Sequence, residues 1–330
     1  MNLSTLNGIA ASLHFDFTQE PKPTRKGYGD QLVSLGKKHE EIMVLCADLT
    51  DSTTVNRFRD AFPKRFVQIG VAEQNLVTVA AGLAHLGKMP FISSYAMFCP
   101  GRCWEQIRTT VCYNDENVKV IGAHSGISVG PDGATHQALE DIGIMRTLPN
   151  MTVVVPCDYH QTAKATTAIT EHKGPCYMRF ARAPTPQFTT EDTPFELGKV
   201  QVFKEGTDVA LIGSGPVVYE CLVAAYKLQD EGINAMVVNC HTVKPMDIQG
   251  IVGIAKKVKA IVSVEEHQVH GGMGSAISEV LCQHHPVPMH FVGVDDRFGE
   301  SGDPEELLKE FGFCRDDIVS AAKEVMKRKA

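Results

Sequence analysis

Short apolar, β-branched runs alternate with longer amphipathic stretches along this chain, and this alternation limits the folds that it can adopt. Several of the short runs are apolar throughout, as in IMVLC at Ile42–Cys46. Parallel strands that are covered on both faces have this character. The repeated strand–helix order therefore predicts an α/β fold of open, mostly parallel sheets with right-handed crossovers and helices on both faces. The predicted strands are Ile42–Cys46, Val118–Ile121, Met151–Val155, Val209–Ile212, Ala235–Val238, Ile261–Val264 and Phe291–Val294.

One break divides this alternating pattern into two parts. The segment Ala183–Leu197 contains three prolines among threonines and acidic residues, which is typical of a linker. The length of 330 residues also suggests two domains, at roughly 100–200 residues per domain. We therefore predict an N-terminal extension over residues 1–20, a first domain over 21–190 and a second over 191–330. The predicted helices are Leu76–Leu86, Val217–Glu231, Ile248–Val258, Gly274–Cys282 and Asp316–Lys327.

Charge and hydropathy restrict the partners that such a chain can bind. A formal net charge of -7 argues against a surface for nucleic acid or anionic lipid, because both favour basic patches. No apolar run approaches the roughly 18 residues of a membrane helix, and the first residues lack the features of a signal peptide. The nearest group of cysteines, Cys99, Cys103 and Cys112, has no further partners at the spacing of a zinc site. We expect a cytoplasmic protein with reduced thiols that contacts neither nucleic acid nor membrane.

The densest polar signal is the segment HSGISVGPDGATHQ at residues 124–137. Its glycines and proline predict a loop that can place His124, Asp132 and His136 on one concave surface. These side chains suit hydrogen bonding to sugar hydroxyls and proton transfer. The residues alone also fit an ordinary surface loop with two polar histidines, and they define no metal geometry.

Two further segments combine a carboxylate and aromatic rings. In IGVAEQNLVTVAAGLAHLG, residues 69–87, Glu73 begins a helix that is apolar nearly all round. This carboxylate either favours the helix N-terminus only or is a desolvated acid that can share a proton with a heterocycle nitrogen. In FISSYAMFCPGRCWEQIR, residues 91–108, Tyr95 and Phe98 are either core residues or a stacking platform for a flat ring.

Taken together, these three segments resemble the pyrimidine-binding domain of transketolase over residues ~20–185, and the remainder resembles the C-terminal domain of that family. GVAEQN corresponds to the family segment with the cofactor-binding glutamate, YAMF to its aromatic cradle, and HSGISVGPDGATHQ to its two-histidine loop. ADLTDS at residues 47–52 and TRK at residues 24–26 also match in order and separation. The resemblance implies a thiamine-diphosphate enzyme with one sheet of the pyrimidine-binding type and one of the transketolase C-terminal type.

The resemblance implies four cofactor-binding residues. Glu73 would hydrogen-bond N1′ of the aminopyrimidine and promote the tautomer whose 4′ nitrogen removes the C2 proton of thiamine diphosphate. Phe98 would stack on the aminopyrimidine ring, and Tyr95 would complete the pocket. Asp48 follows the predicted strand Ile42–Cys46 and would line the cofactor site, because open α/β sheets place ligands at the carboxyl ends of their strands.

The resemblance also implies which residues face the substrate. Asp132 would face a hydroxyl next to the carbonyl, and His124 and His136 would contact carbonyl and hydroxyl oxygens during proton transfer. Together with Glu73, these three residues form the predicted catalytic set.

A clamp for the charged tail of the sugar completes the predicted substrate site. Arg25, Ser52 and Arg182 resemble the phosphate clamp of the family, and they join His124 and Asp132 in binding the substrate. A guanidinium binds an oxyanion bidentately, and a hydroxyl adds a directed hydrogen bond. Arginine binds sulfonate as well as phosphate, so the sequence leaves the identity of the sugar open.

One family motif is absent from this sequence. A full-length transketolase carries GDG followed by an asparagine in its diphosphate-binding domain, and these hold a divalent metal; no GDG occurs here. We therefore expect no metal ligand in this chain, and we expect Mg²⁺ to be held by an N-terminal transketolase subunit. Two copies of each chain would form a 2+2 assembly. GSGP at residues 213–216 lacks the third glycine of a dinucleotide fingerprint and is interpreted as a tight turn.

The predicted function is that of the C-terminal subunit of a two-chain transketolase, which transfers a two-carbon ketol unit from a ketose phosphate to an aldose phosphate in the pentose phosphate pathway. The alternatives are a 2-oxo-acid dehydrogenase β-type subunit, a deoxyxylulose-phosphate synthase-like enzyme, a transketolase for modified sugars and a non-catalytic partner subunit. The histidine and aspartate spacing argues against the first, and His124 with ADLTDS against the second. Glu73 argues against the last, because a purely structural subunit has no need of an acid there.

Overall fold

A computed structural model describes residues 18–329, so the predicted extension over residues 1–20 lies almost wholly outside the described residues. The strands, in chain order, are β1 (Lys22–Pro23), β2 (Ile42–Cys46), β3 (Phe66–Gln68), β4 (Met89–Tyr95), β5 (Lys119–Ala123), β6 (Thr152–Val154), β7 (Cys176–Phe180), β8 (Pro184–Thr185), β9 (Gln201–Lys204), β10 (Val209–Gly213), β11 (Ala235–Asn239), β12 (Thr242–Lys244), β13 (Ile261–Gln268) and β14 (Met289–Val294). The helices are α1 (Thr24–Gly36), α2 (Asn56–Ala61), α3 (Glu73–His85), α4 (Trp104–Gln106), α5 (Asp141–Arg146), α6 (Tyr159–Glu171), α7 (Val218–Asp230), α8 (Ile248–Val258), α9 (Met273–His284), α10 (Pro304–Glu310) and α11 (Arg315–Met326).

The first sheet is built almost entirely from parallel strands, in the order β12-β6-β7-β5-β4-β2-β3. Only the pair β12–β6 is antiparallel within the part of the chain that the structure describes. Leu45 and Val120 face the buried side of α3, while Val44 and Ile121 face α1 and α6. Successive residues of a strand point to opposite faces, so this division places helices on both faces of the sheet.

The second sheet has the order β14-β13-β10-β11-β9, and β9 is its antiparallel edge strand. Val209 and Leu211 share a buried cluster with α7 and α11, whereas Ala210 and Ile212 pack with α8 and α9. The two-sheet α/β fold predicted from the strand–helix alternation is therefore confirmed. None of the helices across residues 18–329 is long and apolar enough to cross a membrane.

The predicted linker Ala183–Leu197 contains no helix, and only β8 pairs with another strand, β1. It is nevertheless packed against the first domain through the buried carboxylate of Asp158. That carboxylate accepts hydrogen bonds from the backbone N–H of Phe188 at 3.2 Å and of Thr189 at 2.8 Å, and from the Thr189 hydroxyl at 2.6 Å. These hydrogen bonds hold the segment against the first domain before the chain enters the second.

Candidate active site

The predicted site residues follow the carboxyl ends of neighbouring parallel strands in the first sheet. Asp48 follows β2, Glu73 follows β3, Tyr95 ends β4, His124 follows β5 and Arg182 follows β7. The carboxyl ends of parallel strands meet at one edge, where open α/β sheets place ligands. The structure therefore gathers these residues, which are far apart in sequence, along one edge of the sheet.

Four aromatic and imidazole rings form a contiguous cluster at this edge. The rings of Tyr95 and Phe98 are stacked with centroids 5.9 Å apart, and the His124 ring lies 4.1 Å from that of Tyr95. The His136 ring meets Phe98 edge-on at 5.2 Å and Tyr95 at 6.1 Å. Both histidines of the 124–137 loop thus contact the aromatic pair in YAMF. The two segments therefore form one continuous surface.

Glu73 is the first residue of α3 and its carboxylate is buried, with only 4% of the side chain exposed. Arg102 Nη1 lies 3.3 Å from Oε1 and 3.4 Å from Oε2 of this carboxylate. The guanidinium of Arg102 also lies 4.1 Å from the centre of the Phe98 ring. Arg102 therefore links the carboxylate to the aromatic cluster. No sequence pattern distinguishes this arginine, although it lies four residues after Phe98 in the same segment.

His124 is buried and has a left-handed backbone, with φ 52°. Arg25 Nη1 donates a hydrogen bond to His124 Nε2 at 2.8 Å, so the proton of the neutral ring is on Nδ1. Nδ1 is buried and has no hydrogen-bond partner among the described residues. Burial, together with the positive charges of Arg25 and Arg182, lowers the pKa of His124 to about 3. The site thus holds a neutral imidazole beside two guanidinium groups.

The predicted clamp residues also come together. Arg25 donates to the Ser52 carbonyl oxygen at 3.2 Å, so Ser52 contributes its backbone to this contact. Arg182 donates to the Val129 carbonyl oxygen at 3.1 Å, and its guanidinium lies 3.9 Å from the Asp132 carboxylate. Burial and the nearby charge of Arg182 lower the pKa of Arg25. Two guanidinium groups at one edge provide the positive potential that an oxyanion requires.

The remaining predicted residues lie at the margins of this cluster. Asp48 is exposed and has φ 61°; its backbone N–H donates to Gln68 Oε1 at 2.8 Å. The Gln68 amide in turn donates to the Thr50 hydroxyl at 2.8 Å, which ties β3 to the turn after β2. His136 Nδ1 lies 2.9 Å from the hydroxyl of Thr135. Across residues 18–329 no group of three or more His, Cys, Asp or Glu side chains is arranged to hold a metal ion.

Comparison with protein families assigns both halves of the chain. The transketolase pyrimidine binding domain matches residues 20–187, and the transketolase C-terminal domain matches residues 198–318. These two ranges cover both sheets.

Individual relatives agree with this assignment along nearly their whole length. A putative transketolase C-terminal section from Methanocaldococcus jannaschii is 44% identical, over 93% of this chain and 97% of that protein. The 6-deoxy-6-sulfo-D-fructose transketolase subunit SqwH from a Clostridium species is 41% identical, over 96% and 98%. A solved structure described as a split gene transketolase, inactive beta4 tetramer, is 44% identical and superposes with a TM-score of 0.88, over 93% of this chain and 99% of that one.

The transketolase family depends on thiamine diphosphate. Several relatives that match this chain over nearly their whole length are named as a C-terminal section, a subunit or a split-gene transketolase. On these grounds, and with the sheet order and site geometry described above, the chain belongs to the transketolase family and is a C-terminal subunit of the split-gene type.

Proposed function

We propose that this chain supplies the pyrimidine-binding half of a two-chain transketolase that transfers a two-carbon ketol unit from a ketose phosphate to an aldose phosphate. One observation carries the proposal: a buried carboxylate, an aromatic cluster and two arginines beside a neutral histidine lie along one sheet edge. The carboxylate is Glu73, the histidine is His124, and Arg102 joins the carboxylate to the aromatic rings.

The residues present fit the aminopyrimidine end of thiamine diphosphate. Glu73 offers a buried acceptor at the start of an apolar helix, and Phe98 with Tyr95 offers rings against which a flat heterocycle can pack. When bound, thiamine diphosphate supplies the carbon nucleophile and the electron sink for ketol transfer. Glu73 would hydrogen-bond ring nitrogen N1′ of the bound cofactor, and the apolar helix behind it would keep water from that contact. Asp48 lines the same edge from the next strand.

The histidines and the clamp act on the sugar. Arg25 fixes the His124 ring through the hydrogen bond that it donates to Nε2, and we assign this imidazole to the carbonyl and hydroxyl oxygens of the sugar. His136 and Asp132, from the same loop, contact the hydroxyl and carbonyl oxygens, and His136 carries the proton that moves between them. Arg25, Arg182 and Ser52 bind the anionic tail.

The metal and the diphosphate belong, in this proposal, to a partner chain. An N-terminal subunit with the diphosphate-binding domain holds Mg²⁺, and a 2+2 assembly brings its domain against Glu73. The cavity beside Glu73 supports this arrangement, because it is open to solvent and leaves room for another chain to cover the carboxylate.

A transketolase for a modified sugar is the second candidate, and one relative favours it specifically. The Clostridium subunit is named for 6-deoxy-6-sulfo-D-fructose, whose tail is a sulfonate. Sulfonate and phosphate are both oxyanions that paired guanidinium groups bind. The clamp of Arg25 and Arg182 therefore favours a substrate with an anionic tail, and it fits a sulfonate as well as a phosphate.

A donor–acceptor screen with the reconstituted pair tests the proposal. Ketoses with a phosphate tail, a sulfonate tail and no charged tail are compared in the wild type and in Arg182→Ala. We expect the variant to lose about 10- to 100-fold in kcat/KM for anionic donors, because a charge-assisted contact is removed. The uncharged donor serves as internal reference, and Arg59→Ala, on the exposed helix α2, serves as the matched control. Equal losses for charged and uncharged donors would contradict the clamp.

A further inference from the structure

The loop that carries His124 and His136 rests on a carboxylate of the second domain. Glu266 lies on β13, is buried, and accepts a hydrogen bond from the backbone N–H of Ser128 at 2.9 Å. Gly126 has φ 83°, and a Cβ at that position would lie 2.5 Å from Glu266 Oε2. The loop backbone therefore packs directly against this carboxylate, with no space for a side chain between them.

Glu266 is itself held in place from the first domain. Arg179 on β7 donates from Nη2 to the Glu266 carbonyl oxygen at 3.1 Å and from Nε to the Ser125 hydroxyl at 2.8 Å. Its third nitrogen, Nη1, lies 3.2 Å from the carboxylate of Asp141, and both side chains are almost fully buried. One arginine thus fixes both the backbone of Glu266 and the start of the loop.

The far end of the loop is also anchored to the second domain. Gln137 donates from its side-chain amide to the Glu300 carbonyl oxygen at 2.9 Å and to the Ile127 carbonyl oxygen at 3.1 Å. A Cβ on Gly133 would lie 2.4 Å from the Ser301 hydroxyl oxygen. The segment between these anchors includes Asp132 and His136, and His124 directly precedes the first anchor.

We infer that Glu266 is a positioning residue, through which the second domain holds the two-histidine loop in the geometry required for the sugar. This gives the second domain a part in catalysis without a contact to the reacting atoms. The expected effect on catalysis rests on the proposed function. The contacts that hold the loop are observed in the structure and do not depend on it. A buried N–H that loses its acceptor is unfavourable, so removal of the carboxylate releases the loop near Ser128.

The neighbouring glutamate provides a matched control on the same strand. Glu265 is also buried, and its carboxylate accepts from the backbone N–H of Met273 at 2.7 Å and of Gly274 at 2.8 Å, at the start of α9. Adjacent residues of a strand point to opposite faces. Substitution of Glu265 therefore perturbs the second domain away from the loop.

The test compares Glu266→Ala, Glu266→Gln and Glu265→Ala in the complex with the partner subunit. Amide hydrogen exchange is measured over residues 124–137, together with kcat, KM and thiamine-diphosphate affinity. For Glu266→Ala we expect about 10- to 100-fold faster exchange of the loop and a comparable loss of kcat/KM for the sugar. Cofactor affinity stays within about two-fold, because Glu73 and Phe98 lie outside the loop. Glu266→Gln retains an acceptor oxygen and restores both loop protection and kcat/KM.

Three results would overturn the inference. They are wild-type loop exchange in Glu266→Ala, an equal effect of Glu265→Ala on the loop, and failure of Glu266→Gln to restore it. If Glu266→Ala does not fold, Glu266→Asp is measured in its place. Its shorter side chain moves the carboxylate about 1.5 Å away from the loop, so it must show the same faster loop exchange and lower kcat/KM. Loop exchange is read independently of turnover, so an inactive wild-type complex would count against the proposed function and leave the exchange result to decide this inference.

Discussion

Glu73 combines burial with an ion pair to a partner that remains half exposed. Its carboxylate is 4% exposed, whereas 51% of the Arg102 side chain is exposed, and their closest contact is 3.3 Å. An ion pair gains less free energy when one partner remains solvated, because water screens its charge. A ring nitrogen can therefore share this carboxylate at small cost while Arg102 remains over the Phe98 ring.

Replacing Glu73 with glutamine removes the proposed proton carrier and preserves the shape of the side chain. We expect Glu73→Gln to lower kcat of the reconstituted enzyme by about 100- to 10,000-fold, the usual contribution of a general acid or base. Its far-UV circular dichroism and thermal unfolding should match those of the wild type. Glu105→Gln, at an exposed position, is the control and should turn over normally. A near-normal rate in Glu73→Gln would contradict the assigned role.

His124 makes the stability of the protein depend on pH. Burial and two arginines lower its pKa to about 3, and burial lowers that of His241 to about 3 as well. Below pH ~6.5 the unfolded chain takes up protons that the folded chain does not, so the free energy of unfolding falls. Each histidine should account for about 2 kcal/mol of loss between pH 7 and pH 5.

Chemical unfolding at these two pH values measures this effect. His124→Gln and His241→Gln should each reduce the pH dependence by a similar amount, because glutamine does not titrate. Only His124→Gln should also reduce turnover, because His241 stacks on Phe195 and bonds to Thr242, and neither residue belongs to the candidate site. An unchanged pH dependence in His124→Gln would show that this histidine has the same pKa in the folded and the unfolded chain, which would contradict the lowered pKa.

Residues that belong to recognisable motifs can be predicted from the sequence. Residues whose role depends only on contacts made in the folded protein cannot. His124 and Arg25 belong to recognisable segments, and the fold brings them to 2.8 Å. Arg102 was missed because a single arginine after the dipeptide Pro100-Gly101 has no distinguishing pattern. Glu266 was missed because its partner is a backbone N–H, which leaves no trace in the sequence.

At the scale of elements, β12 joins the two parts of the chain. Thr242–Lys244 comes after the linker, yet it pairs antiparallel with β6 at the edge of the first sheet. Val243 in this strand is buried, and it belongs to a hydrophobic cluster that includes Val153 from the first sheet and Ile254 from the second domain. The two predicted domains therefore share this hydrophobic cluster.

Shortening Val243 tests this connection. We expect Val243→Ala to lower the free energy of unfolding by about 2–3 kcal/mol through lost burial and a cavity. Unfolding should remain a single transition, because β12 pairs with the first sheet although its residues lie within the second domain, so the two domains should lose their structure together. Ile248→Ala, at a position with 42% exposure, should cost less than about 1 kcal/mol. Two separate transitions in the wild type would contradict the shared cluster.

Periodicity predicted the apolar strands well and the polar elements poorly. The predicted strand Ile42–Cys46 and helix Ile248–Val258 have the bounds observed. Helix α6 was not predicted, because YHQTAKATTAITE is rich in threonine, which has low helix propensity. Its buried threonines donate to carbonyl oxygens one turn earlier, as Thr166 does to Thr162 at 2.8 Å. Packing on α1, where Gly27 approaches the Tyr159 carbonyl, stabilises this helix.

At the scale of the whole molecule, the candidate site lies at the protein surface, along the carboxyl-end edge of the first sheet. The carboxyl ends of the first sheet carry the carboxylate, rings and arginines, and the cavity beside Glu73 is lined by Val71, Gln74, Asn75 and Arg102. The exposed Val71 and Arg102 mark the side from which another chain can cover the carboxylate. The proposed two-chain enzyme places the diphosphate-binding subunit there.

Reconstitution of ketol transfer tests this account most directly. The purified chain is assayed alone, with an N-terminal transketolase subunit, and with that subunit together with Mg²⁺ and thiamine diphosphate. The account predicts no transfer by the chain alone, and transfer when all components are present. Heat-denatured partner and the Glu73→Gln chain serve as controls. Full activity of the isolated chain, or no activity in the complete mixture with any anionic ketose, would contradict it.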